Sequence, residues 1–154
     1  MNNNELMNLR KFHLIAAVIC TVNAVPVLGG MVNGSLANFL TVAVLVISVM
    51  ILIKPQADGL TKIPCVLGII AALLETVNYF IGRSRQYTLL EFISDYTFPL
   101  DLTADFMFTP RQMDALGLVM TMGAIGMISW IFTAVAAVLY FINHKRIMKL
   151  VSYD

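Results

Sequence analysis

The sequence predicts an all-α integral membrane protein: a four-helix bundle crossing the bilayer, both chain ends cytoplasmic, with a short amphipathic helical segment in a long outer loop between the third and fourth helices. Three observations predict it. Of the 154 residues, 59% are apolar and 12% charged, against about 45–50% and about 25% in soluble domains. Four apolar stretches, at about 12–31, 36–53, 63–81 and 116–142, come close to or exceed the ~20 residues that a helix needs to cross a bilayer core. Lysine and arginine, finally, gather at alternate ends of these stretches. The chain reads as a single membrane domain spanning residues 1–154.

The first stretch, Phe12 to Met31, follows Arg10-Lys11 and contains Val22-Asn23-Ala24. That pattern has the outline of a signal peptide with a small-residue cleavage site. The apolar run continues through Pro26, Val27 and Leu28, so it is read as an uncleaved first helix. Gly29-Gly30 and Asn33-Gly34-Ser35 separate it from the second stretch, and Lys54-Pro55 with Asp58-Gly59 separates the second from the third; such residues break helices. Short connections make neighbouring helices antiparallel, and lipid admits no open sheet, because unpaired backbone groups cost several kcal/mol each in hydrocarbon.

Direction follows from the basic residues near the span ends. Arg10, Lys11, Lys54, Lys62, Lys145, Arg146 and Lys149 fall on one side, seven against Arg83, Arg85 and Arg111 on the other. This places both termini in the cytoplasm of a plasma membrane, the inner membrane in a bacterium.

The outer segment, 83–114, carries the acids Glu91, Asp95, Asp101, Asp105 and Asp114, yet it is also rich in large apolar and aromatic side chains. Leu89, Ile93, Tyr96 and Leu100 recur at roughly helical spacing, which predicts a short amphipathic helix ended by Pro99. Phe92, Tyr96, Phe98, Phe106 and Phe108 form the expected outer partner surface, since exposed apolar patches mark contact sites. Packing of the same segment back onto the helices as a cap is the competing expectation. Thr109-Pro110-Arg111-Gln112 then reads as a capping box with proline at the first helical position. The fourth helix thus begins ahead of its apolar core and reaches about 50 Å at 1.5 Å per residue.

Glu75 is the sharpest signal: no other Asp, Glu, Lys or Arg lies within the four stretches. A charge at the bilayer centre costs on the order of 2.5–3.5 kcal/mol on insertion scales, so it should face the bundle interior or a water-filled cavity. Counted from the cytoplasmic ends at 1.5 Å per residue, Glu75 lies about 18 Å deep, Asn78 about 22 Å, Asn23 about 16 Å, Thr41 about 18 Å and Ser129 about 20 Å. The expected arrangement is a polar layer in which Glu75 is met by Asn23 and by Thr41 or Ser129. Pro26 adds to it by freeing a backbone carbonyl. In the fourth helix Gly117, Gly123, Ala124 and Gly126 suit close helix packing, within one subunit or between subunits.

Composition and motifs exclude several classes. A net charge of +1 offers no basic stripe for nucleic acid. Cys20 and Cys65 form no CxxC pair and read as small buried hydrophobes. His13 and His144 end the first and fourth helices as interfacial polar residues. No nucleophile–base pair, phosphate-binding glycine loop, metal cluster or cofactor motif is visible, which argues against an enzyme. Two readings remain. One is a non-enzymatic membrane subunit, self-associating or bound to another protein in a sensor, accessory or immunity-type role. The other is a small oligomeric proton or cation channel or carrier using Glu75.

Overall fold

Helix ends in this chain are written by a few residues, and the computed structural model, which describes residues 3–25, 38–55, 59–90 and 109–152, places them accordingly. Its long helices are α1 (Asn3–Ala24), α2 (Phe39–Ile53), α3 (Ile63–Ser84) and α4 (Pro110–Val151). A further helical stretch covers 86–90, and no strand occurs among the described residues.

Asn38 precedes α2 in the left-handed region at φ 63°, which asparagine tolerates better than most residues. Lys54 ends α2 with ψ 148°; the ring of Pro55 pushes the residue before it out of the helical region. Gly59 takes φ 81° in the turn to α3, a backbone state costly for any residue with a Cβ. The capping box at α4 is present: Gln112 N–H donates to Thr109 Oγ1 at 3.3 Å, and Thr109 N–H donates to Gln112 Oε1 at 2.9 Å. Thr109→Ala is expected to lose about 1 kcal/mol of helix stability, seen as faster amide exchange confined to the first turn of α4.

Long-range contacts make each helix antiparallel to its neighbours. Lys54 at the end of α2 sits 4.9 Å from the ring centroid of Phe12 in α1. His144 Nδ1 near the end of α4 lies 3.2 Å from the carbonyl oxygen of Arg10. Asn143 Nδ2 donates to the Thr61 carbonyl at 2.9 Å and Arg146 Nη1 to that of Gly59 at 2.7 Å, tying α4 to the start of α3. α1 packs on α2 and α4, and α3 packs on the same two. The start of α1, the α2–α3 connection and the end of α4 therefore share one end of the molecule. The end of α3 and the start of α4 occupy the other.

Helix bounds differ from the predicted spans in instructive ways. α3 and α4 are long and apolar enough to cross a membrane, and α2 is a shorter apolar helix. α1 starts nine residues before the predicted 12, because Asn3 to Lys11 continues the helix through polar residues that no breaker interrupts. The rest of that predicted span, past Val25, lies outside the described residues, as does Pro26. α4 starts at the predicted capping box and runs 42 residues, past the apolar span 116–142 at both ends, about 63 Å at 1.5 Å per residue against the ~50 Å expected. Its capping box starts it early, and nothing stops it before Ser152.

Candidate functional site

Glu75 sits midway along α3, on the face turned toward α1 and α2. Asn23 Nδ2, from the last turn of α1, is 3.3 Å from each carboxylate oxygen. Thr41 Oγ1, from the first turn of α2, donates to Glu75 Oε2. Helices α1, α2 and α3 thus converge on one carboxylate. Asn23 and Thr41 are both buried, which strengthens these bonds electrostatically by keeping water out.

Ser129 does not join them. It is fully buried and donates to the Ala71 carbonyl at 2.9 Å, one helical turn below Glu75. The depth count put it at the right level, but α4 meets α3 on its Ala71 side, so a serine there bonds backbone. Asn78, one turn above Glu75, faces α4. A Cβ on Gly126 would stand 3.4 Å from Asn78 Nδ2, so the missing side chain gives the amide its place. Asn78 Oδ1 is buried without a hydrogen-bond partner.

The remaining small residues of α4 behave differently. A Cβ on Gly117 or Gly123 would meet nothing within 4 Å among the described residues, and Ala124 is exposed. Gly117, Gly123 and Ala124 are all exposed, whereas Gly126 lies against Asn78 of α3. Phe92, Tyr96, Phe98, Phe106 and Phe108 lie outside the described residues.

A second polar layer lies below the first, and sequence reasoning missed it. Tyr140 of α4, fully buried, donates to Ser48 Oγ of α2 at 2.8 Å. The His13 ring of α1 lies 5.6 Å from the Tyr140 ring, tilted by 54°. Gly68 of α3 makes this junction possible, because a Cβ there would stand 2.5 Å from Ser48 Oγ. A signal existed: Ser48 is seven residues after Thr41 and Gly68 seven before Glu75, and residues seven apart share a helix face. Between the two layers the interior is apolar and tight, with Cys20, Val44 and Ala72 buried. Both cysteines are free thiols.

Above Glu75 the packing opens. A cleft of about 420 Å³ is lined by Asn38, Glu75, Asn78, Tyr79, Gly82, Arg83, Gln86 and Met122. It runs along α3 from the Glu75 carboxylate to the end of the molecule away from the start of α1 and the end of α4. Chemically it offers an acid at its floor, amides on its walls and a guanidinium at its mouth. Trp130 Nε1 donates to the Ala24 carbonyl, closing the last turn of α1 against α4 beside this region. Among the described residues no group of three His, Cys, Asp or Glu side chains comes together to hold a metal. In comparisons with protein family models, curated proteins and solved structures, none matches this chain.

Proposed function

We propose that the chain is a non-enzymatic membrane protein whose four long helices all cross the bilayer, with both termini cytoplasmic, and that it works as a self-associating or partner-bound subunit of a sensor, accessory or immunity type. The observation that carries this reading is an inside-out distribution of side chains. His13, Ser48, Ser129 and Asn143 are 0% exposed, while Ile53 is 77%, Phe80 64% and Val138 60% exposed. Water would drive these groups the opposite way, burying isoleucine and phenylalanine first. Lipid removes that drive. Helices in lipid associate through small residues and interhelical hydrogen bonds, with large apolar side chains left facing the acyl chains. Glu75 fits as the central link, its cost in hydrocarbon lowered by donors from two other helices.

The exposed small residues Gly117, Gly123 and Ala124, with Met120 and Met127 beside them, support an association face on the outer half of α4. Small residues let a second helix approach closely, and methionine adapts its shape to a partner.

Topology is tested with single cysteines placed in a Cys20→Ala, Cys65→Ala background. A membrane-impermeant maleimide on intact cells is expected to label Gln86→Cys and to leave Thr61→Cys and Lys149→Cys unlabelled until the cells are opened. Labelling of all three on intact cells, or extraction of the protein by alkaline carbonate, would sink the reading.

The cleft above Glu75 favours a second reading, in which an oligomer carries protons or cations past the carboxylate. Against conduction within one chain stands the apolar layer of Cys20, Val44 and Ala72 beneath it. Flux through reconstituted vesicles separates the two, since a subunit role predicts no ion or proton leak.

A further inference from the structure

The cleft is built along one face of α3. Glu75, Asn78, Tyr79, Gly82 and Arg83 follow one another at intervals that keep them on a single side of α3, and Gln86, just past its end, extends the cleft. Its inner end is rich in acceptors. The Glu75 carboxylate receives bonds from the neutral donors Asn23 and Thr41, and among the described residues no Lys, Arg or His nitrogen pairs with it. One turn further along α3, Asn78 Oδ1 is buried with no partner among the described residues. A half-buried carboxylate that meets only neutral donors among the described residues, one turn from an unused carbonyl oxygen, is matched by a donor-only, positively charged group. A primary ammonium has three N–H donors and no acceptor.

The outer end has the opposite sign. Arg83 is exposed at the mouth, and its Nη1 donates to Gln86 Oε1 at 3.3 Å, which holds the guanidinium at the rim. Along α3, Glu75 and Arg83 are about 12 Å apart in rise. Tyr79 and Met122 line the space between these ends, an aromatic and a soft apolar surface suited to a short methylene chain. The volume falls within the usual range for small-molecule sites, ~300–1,000 Å³.

We infer that this cleft binds a small zwitterion whose ammonium and carboxylate are separated by several methylenes, the ammonium seated on Glu75 and Asn78 and the carboxylate on Arg83 and Gln86. A second positive charge at the mouth meets Arg83 and is disfavoured, so a linear diamine is a poor ligand. A fatty acid of the same length leaves Glu75 unmet and is a poor ligand as well. The site goes beyond the subunit role, and it does not depend on which way the protein faces in the membrane.

The test uses the full chain in lipid nanodiscs, open to solution on both faces, so an error in topology cannot hide binding. Titration calorimetry with 6-aminohexanoate at millimolar concentration is expected to give saturable binding, weaker for 1,6-diaminohexane and absent for hexanoate. Glu75→Gln is expected to weaken 6-aminohexanoate by about tenfold or more, the usual weight of a hydrogen bond to a charged group. Arg83→Ala changes an exposed residue and keeps the test valid if the Glu75 variant does not fold; it is expected to erase the preference for the amino acid over the diamine. No saturable binding of 6-aminohexanoate, equal binding of hexanoate, or an Arg83→Ala protein that keeps the preference would each overturn the assignment.

Discussion

Replacing Gly68 with leucine is expected to lower the stability of the helix bundle by about 3 kcal/mol, the upper end of the cost of overpacking a tight interior. Even a Cβ at this position would lie 2.5 Å from Ser48 Oγ and 3.5 Å from Val44 Cγ1. α2 and α3 must then separate, which also breaks the bond that Tyr140 donates to Ser48. The lesion couples a steric clash to a lost interhelical hydrogen bond. Unfolding by SDS in mixed micelles, followed by the fluorescence of Trp130, measures it. Gly123→Leu is the control, because a Cβ there meets nothing within 4 Å among the described residues, and at a protein-to-micelle ratio that keeps the chain monomeric it is expected to leave the midpoint unchanged. Equal midpoints for the two variants would mean that α2 and α3 do not approach closely at Gly68.

The second large effect concerns Glu75, where chemistry rather than volume decides. Glu75→Leu removes the acceptor for Asn23 and Thr41. Interhelical hydrogen bonds in membranes are worth about 0.6–1.7 kcal/mol each, so the two partners together lose about 1–3 kcal/mol. A further loss comes from the reference state. Inserted but separated helices expose the native carboxylate to lipid at a cost of about 2.5–3.5 kcal/mol, and bundling relieves that cost; leucine has none to relieve. Glu75→Gln keeps a carbonyl acceptor for both donors and is expected to stay within about 1 kcal/mol of the native protein. The same SDS titration reads both variants, and a double-mutant cycle with Thr41→Val isolates the Thr41 bond. Should the leucine variant unfold at the same midpoint as the glutamine variant, the polar layer contributes nothing to holding α1, α2 and α3 together.

Much of the site was legible because one residue broke the pattern. A carboxylate inside an apolar stretch must find donors, and a depth count at 1.5 Å per residue brought Asn23 and Thr41 to its level. Depth along an axis carries no information about rotation around it. Ser129 shows this: it lies at nearly the same height, yet bonds the Ala71 carbonyl. Gly117 and Gly123 show it again, as small residues that turn away from the rest of the described chain. Gly68, Ser48 and Tyr140 stayed hidden for a different reason. Each is ordinary within an apolar helix, and only their meeting gives them weight.

By itself the sequence determined the helical class, the start of the fourth helix at Thr109-Pro110, the end of the second at Lys54 and the need to shelter Glu75. Those follow from local chemistry: apolar composition, a capping box at Thr109, the proline after Lys54, and the cost of setting a carboxylate among apolar side chains without donors. The tertiary structure decided which face of each helix turns inward, and with it the second layer at Ser48 and Tyr140 and the cleft from Glu75 to Arg83. Helix rotation is set by the fit of several surfaces at once, and no single stretch of chain encodes that fit.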